Sequence, residues 1–238
     1  MPDLRVRVWR GGADGALVEY SVPRQASQTV LDVVTWIQRH LDATLSYRFS
    51  CRVGMCGSCA MTVNGAPRWT CRTHVSRLGG DAITVEPLRN LPLVKDLAAD
   101  MAPFFDKWAA AGGPFVPGKG GEADNGFARV EPGSRDRQAA DAGIECIGCG
   151  VCHSACDTAA WNPDYLGPAA LNRAWTLVND RRDGARAERL AAVSGDAGCH
   201  ACHTHASCAE LCPKGLSPTL SIAGLKRATT LAALRGEI

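Results

Sequence analysis

The chain has 238 residues, room for two modest domains with small cores, and its 26 Lys and Arg against 24 Asp and Glu provide no basic field to draw nucleic acid. Twelve cysteines leave two readings, a disulfide framework in an oxidising compartment or metal ligands in a reducing one. No stretch reaches the roughly 18 consecutive apolar residues of a membrane span, so membrane association is expected only through a partner.

The N-terminal run Met1 to Trp9 lacks an apolar signal core and alternates like a strand, so it is expected to be the start of a folded domain and not a presequence. This favours the metal reading. Strands are predicted over 4–9 and 17–22, with Gly11, Gly12 and Gly15 supplying a hairpin connection. Helical spacing covers 30–41, preceded by the polar caps of 27–29, and short strands over 60–63 and 82–86 complete a small β-grasp-like sheet. A second helical pattern with an apolar face runs over 93–108. Beyond it Gly112-Gly113-Pro114, Pro117-Gly118, Gly120-Gly121 and Pro132-Gly133 mark a linker. From about residue 136 the chain reads as short helices without a convincing strand, clearest over 171–180, 185–193 and 217–234.

Cys51-Arg52-Val53-Gly54-Met55-Cys56-Gly57-Ser58-Cys59, followed by Cys71, has the C-x4-C-x2-C spacing with a distant fourth thiolate that holds a 2Fe-2S cluster. Gly54 and Gly57 suit a loop that must wrap a cluster and point its amides inward. Zinc sites show paired hooks at longer separation, and disulfides need another compartment. Cys146, Cys149, Cys152 and Cys156 form a C-x2-C-x2-C-x3-C run, in which three thiolates hold one cubane and the fourth serves another. By that cross-over, Cys146, Cys149 and Cys152 take Cys212 to complete a 4Fe-4S cluster, and Cys156 joins Cys202 and Cys208. The position three after Cys202 is His205, which leaves three thiolates and predicts a 3Fe-4S cluster. Cys199 then reads as a buried thiol and His205 as cluster lining. A four-iron centre completed by His205 or Cys199 stays open, as does a zinc site built from Cys199, Cys202 and the histidines, which would strand Cys156.

The expected fold class is therefore α+β. An N-terminal β-grasp domain of the plant-type ferredoxin kind spans 1–92, a connecting helix and Gly/Pro-rich linker span 93–135, and a mostly α-helical bacterial-ferredoxin-like domain spans 136–238. No residues pair a nucleophile with a base, so the use of three one-electron clusters is conduction. His40 and His74 read as surface or packing residues, and Arg181-Arg182 as a solvated helix end.

The sequence resembles the iron-sulfur subunit of succinate dehydrogenase and fumarate reductase, respiratory complex II. The resemblance is carried by the 51–65 block, by Leu91-Pro92-Leu93-Val94-Lys95-Asp96-Leu97 with Asp100-Met101, and by the four-cysteine run. Trp161-Asn162-Pro163-Asp164 with Gly167-Pro168 and the block from Cys208 to Pro218 complete it. It implies electrons entering from a flavoprotein subunit with FAD that interconverts succinate and fumarate. It further implies a quinone site shared with a membrane anchor, with or without haem b, on the cytoplasmic face of a bacterial inner membrane. Trp161 corresponds to the family's tryptophan beside the quinone and His203 to its histidine between the third cluster and the anchor. The chain departs from the pattern at Cys156-Asp157-Thr158, where the family commonly has Cys-Pro-Ser, at Ala159 and Ala160, where bulky aromatics are frequent, and at Cys199 and His205. A fumarate reductase, a paralogous flavoprotein complex and a soluble ferredoxin-like carrier are the alternatives, the last disfavoured by the apolar face of 93–108.

Overall fold

The computed structural model describes residues 3–118 and 130–238; Met1 and Pro2 of the N-terminal pattern and Gly120-Gly121 of the expected linker lie outside the described residues. In chain order the first elements are β1 Leu4–Arg10, β2 Ala16–Val22, α1 Val30–His40, β3 Ala60–Val63, β4 Ala66–Trp69, β5 Ala82–Glu86, β6 Leu93–Lys95 and β7 Ala98–Ala99. Helices follow: α2 Ala102–Ala110, α3 Arg135–Ile144, α4 Val151–Ser154, α5 Asp157–Trp161, α6 Pro168–Val178, α7 Arg186–Val193, α8 Ser207–Glu210 and α9 Pro218–Leu234. The chain forms two compact units, Met1–Met101 with Ile147–Ala155, and Ala102–Cys146 with Cys156–Ile238.

The first unit is built on a five-stranded mixed sheet in the order β2-β1-β5-β3-β4. In β1 the alternation sends Leu4, Val6 and Val8 inward, all fully buried. β1 pairs antiparallel with β2 from Leu4–Val22 to Arg10–Ala16, and parallel with β5. The helix α1 starts at a capping box: the Thr29 hydroxyl accepts the Asp32 amide at 3.2 Å, and the Asp32 carboxylate accepts the Thr29 amide at 3.0 Å. Its face of Val30, Val33, Val34 and Ile37 joins Leu4, Val6, Val8, Ile83 and Val85 in one core. A helix over a mixed sheet of this order is the β-grasp arrangement.

The helix predicted over 93–108 forms only from Ala102. Residues 93–99 are instead a small antiparallel ribbon of β6 and β7 around a left-handed Asp96, φ +52°. The reason is the Asp96 carboxylate, which is buried and accepts the amides of Gly11 at 2.7 Å and Ser46 at 2.8 Å and the Arg10 guanidinium at 3.1 Å. Burial alone would raise this carboxyl, but those donors hold it below the usual carboxylate range. Three fixed donors outweigh an apolar periodicity.

The second unit has no strand among its described residues. Its core gathers Leu171, Leu190, Val193, Ile222 and Leu225 around α6, which packs on α3, α7 and α9. Asp183 and Arg189, with side chains 0% and 3% exposed, form a two-pronged ion pair at 2.6 and 2.9 Å. Asp183 also accepts the Val116 and Ala185 amides at 3.0 Å, and Arg189 donates to the Pro114 carbonyl at 2.6 Å, so the pair straps 114–116 to this unit. Burial would raise the Asp183 carboxyl, yet Arg189 and the two amides keep it below its ordinary value. Replacing Asp183 with Asn leaves a buried guanidinium without its counter-charge. The expected loss is about 3–5 kcal/mol in denaturant unfolding. In the parent the pair's contribution is present above the ordinary aspartate value and fades as pH falls through the lowered one, so the stability gap between parent and variant should close in acid.

Candidate metal centres

The described residues include all twelve cysteines, and none is in a disulfide. The sequence assigned eleven of them to three groups.

In the first group Cys51, Cys56 and Cys59 share the loop before β3, and Cys71 sits in a 3-10 turn after β4. The loop enters the left-handed region at Arg52, Gly54 and Gly57, with φ of +59°, +76° and +72°. Amides thereby turn inward: Met55 and Cys56 donate to Cys51 Sγ at 3.3 Å, and Cys51 donates to Cys56 Sγ at 3.5 Å. The Ser58 hydroxyl and the Cys51 amide draw the Cys56 thiol down to about 6. Burial, then the neighbouring Cys59, push Cys71 up to about 11, and Cys71 also feels Cys51, so the four thiols are mutually linked. A cation at the centre of such a set would stabilise its thiolates together. Beside Cys71, the buried Trp69 indole N–H has no hydrogen-bond partner in the protein, and its ring packs on Gly54. The inward amides of Met55 and Cys56, aimed at sulfur, suit an iron-sulfur cluster in this loop. The residues fit a 2Fe-2S cluster. Val53 and Met55, 61% and 67% exposed, make an apolar rim to the loop.

The second group is divided between the units. Cys149 and Cys152 belong to the first, where the run from Ile147 is tied down by the Ser154 hydroxyl accepting the Arg89 amide at 2.8 Å and by Asn90 donating to the His153 carbonyl at 2.9 Å. A methyl built on Gly57 would lie 2.4 Å from Cys149 Cβ, so the first loop and this run touch backbone to side chain. Cys146 and Cys212 belong to the second unit, where the neighbouring Glu145 and Lys214 are ion-paired at 3.0 Å.

In the third group Cys156, Cys202 and Cys208 line one cavity, whose space is about 330 Å³ including its open mouth, together with Tyr165, Thr219 and Ile222. Cys156 caps the start of α5, and burial pushes its thiol up. The 202–208 loop places Thr204 and Ala206 at φ +62° and +64°, which lets the Thr204 amide donate to Cys202 Sγ at 3.4 Å. Cys208 Sγ and the Thr219 hydroxyl are 3.3 Å apart. His205 lines the cavity, and Cys199 does not. Cys199 is fully buried in the apolar core and lies 3.7 Å from the Thr229 hydroxyl. Trp161, 59% exposed, His203 and His205 form a ring triad with centroids 6.1–6.3 Å apart. Thiols around one cavity with amide and hydroxyl donors fit an iron-sulfur cluster.

Residues 4–106 match the profile of a 2Fe-2S iron-sulfur cluster binding domain, and residues 145–217 that of a 4Fe-4S dicluster domain. The chain is 37% identical over 216 residues to the fumarate reductase iron-sulfur subunit of Mycobacterium tuberculosis, covering 91% of this chain and 87% of the relative. It belongs to the family of succinate dehydrogenase and fumarate reductase iron-sulfur subunits. The family's succinate dehydrogenase member from Paracoccus denitrificans is 37% identical over 83% of this chain and 74% of its own. A chain of the solved Mycobacterium smegmatis Sdh1 complex in the apo form superposes with a TM-score of 0.85 at 28% identity over 95% of both chains.

Sequence reasoning missed two features of these centres. Tyr165 stands in the gap between two recognisable blocks, and nothing in cysteine spacing points to it. The contact of Gly57 with Cys149 is equally silent, since the two are far apart in sequence. It can be tested against a control. Gly65 is also left-handed, at φ +79°, but a methyl there meets open space. Gly65→Ala should cost about 1 kcal/mol for the backbone alone. Gly57→Ala should cost about 1–3 kcal/mol beyond that through collision with Cys149, read as a lower unfolding midpoint of the cluster-loaded protein.

Proposed function

We propose that the chain is the electron-relay subunit of a succinate:quinone oxidoreductase. Cys51, Cys56, Cys59 and Cys71 hold a 2Fe-2S cluster, Cys146, Cys149, Cys152 and Cys212 a 4Fe-4S cluster, and Cys156, Cys202 and Cys208 a 3Fe-4S cluster. When bound, these clusters supply reversible one-electron storage. The protein's own part is to fix their spacing, aim amides and hydroxyls at the sulfurs, and exclude water from the thiols. Electrons enter from the FAD of a flavoprotein subunit that oxidises succinate and leave to quinone at a membrane anchor. The exposed Trp161 and His203, beside the third group, belong on the quinone side. No described helix is long and apolar enough to cross a membrane. The subunit is held by its partners on the cytoplasmic face of a bacterial inner membrane.

The observation that carries this reading is the match to the Mycobacterium tuberculosis family member over 91% of the chain, supported by the spacing of eleven of the cysteines. A second reading, fumarate reduction, is favoured by the names of relatives, since the Mycobacterium tuberculosis and Escherichia coli O6:H1 subunits, 37% and 36% identical, are both fumarate reductase subunits.

In the purified, flavin-loaded complex, succinate-dependent quinone reduction should outpace quinol-dependent fumarate reduction. The reverse ratio would select the second reading, and absence of both would remove the relay role. For the ligands, low-temperature EPR of oxidised protein should show a three-iron signal. Cys208→Ser should abolish it and lower quinone reduction at least as far as the 10–100-fold loss typical of weaker, outer-partner changes. Cys199→Ala should leave it intact. A fully loaded sample without that signal would overturn the third ligand set.

A further inference from the structure

The first turn of α9 borders the cavity of Cys156, Cys202 and Cys208, where Thr219 and Ile222 form part of the lining. The helix is held firmly. Pro218 occupies its first position, and the Ser217 hydroxyl accepts the Leu220 amide at 3.4 Å. Ile222 and Leu225 are buried in the core of the second unit, and the helix packs on α6 and α7. Thr219, Ile222 and Lys226, spaced at three and seven positions, share one face. From that face Thr219 Oγ1 lies 3.3 Å from Cys208 Sγ, and Lys226 Nζ donates to the Cys202 carbonyl at 2.6 Å. One rigid helix thus reaches both ends of the 202–208 loop.

We propose that Thr219 raises the reduction potential of the centre held by Cys156, Cys202 and Cys208, through the hydrogen bond between its hydroxyl and Cys208 Sγ. The inference rests on the reading of these thiols as ligands of one iron-sulfur centre. A cysteine sulfur that binds iron carries no proton, so in the loaded protein the hydroxyl is the donor. Thr219 is thus a positioning residue that acts through a ligand. One electron enters the centre and one leaves it, while the hydroxyl keeps its proton. An added electron makes the ligand sulfur more negative and the bond to it stronger, so the donor favours the reduced state. The stiff, β-branched side chain on a fixed helix keeps the oxygen aimed at sulfur. Cys202 accepts the Thr204 amide at 3.4 Å, a donor supplied whatever the side chain. The donor to Cys208 is a side chain, so one substitution removes it.

The test is an EPR-monitored redox titration of the assembled complex, with the first centre as reference in the same sample. Thr219→Val replaces the hydroxyl by a methyl of nearly the same size. It should shift the third centre's equilibrium about fivefold toward the oxidised state, the ratio an ordinary hydrogen bond carries, and leave the first centre unmoved. For a one-electron couple that is about 40 mV lower. Thr219→Ser keeps the hydroxyl and should hold the potential near the parent's. If the Val variant does not assemble, Thr219→Ala removes the same oxygen without adding a methyl and should give the same downward shift. A normal third signal at an unmoved potential in a hydroxyl-free variant overturns the inference and leaves the ligand reading standing. So does a Ser variant that shifts as far as the Val one. Loss of the third signal from both hydroxyl-free variants also overturns it, because Thr219 would then be needed to bind the centre and not to set its potential. Parent protein with no third-centre signal overturns the ligand reading as well.

Discussion

Three or four thiols can converge on one point from a short run of chain only if the backbone reverses its natural curvature between them. The first loop does so at Arg52, Gly54 and Gly57, and its amides then face the sulfurs instead of solvent. The third loop does it with Thr204 and Ala206. Those residues carry a left-handed cost of roughly 1–2 kcal/mol each that glycine escapes. The closed shape of 202–208 therefore depends on what its cysteines bind more than that of 51–59 does. Most other features serve to hold these loops still: the sheet and α1 beneath the first, and the helices packed around α6 beneath the third.

Two buried carboxylates do much of that holding. Asp96 gathers Arg10, Gly11 and Ser46 and so joins the hairpin end of β1 to the chain that follows α1. Asp183 gathers Arg189, Val116 and Ala185 and fastens an otherwise irregular stretch. In each case a single side chain satisfies backbone amides that have no helix or strand partner, which is how segments rich in Gly and Pro acquire one conformation.

The elements that the sequence made legible are those with local causes. The alternation of Leu4, Val6 and Val8 and a polar cap within 27–29 act over a few residues, and both appear where the pattern put them, the cap at Thr29. The pattern over 93–108 misled because its periodicity is local while the competing force, the donors to Asp96, comes from Gly11 and Ser46, distant in the chain. Strand β4 escaped notice because it is only four residues long and holds Pro67, which argues against a strand. The grouping of Ile147–Ala155 with the first unit likewise depends on Arg89 and Asn90. Tyr165 was invisible for a different reason: an aromatic residue before a helix is unremarkable until three thiols are found around it.

The near-contact of Gly57 with Cys149 bears on rate as well as on packing. Electron tunnelling decays exponentially with the width of the gap and far more gently along covalent bonds. From Cys56 Sγ the bonds run through its own backbone into Gly57, and one van der Waals step then reaches Cys149 and its sulfur. In the relay proposed above, the hydrogen atom that serves Gly57 as a side chain keeps this step short, because a methyl there would collide with Cys149 Cβ and push the two segments apart.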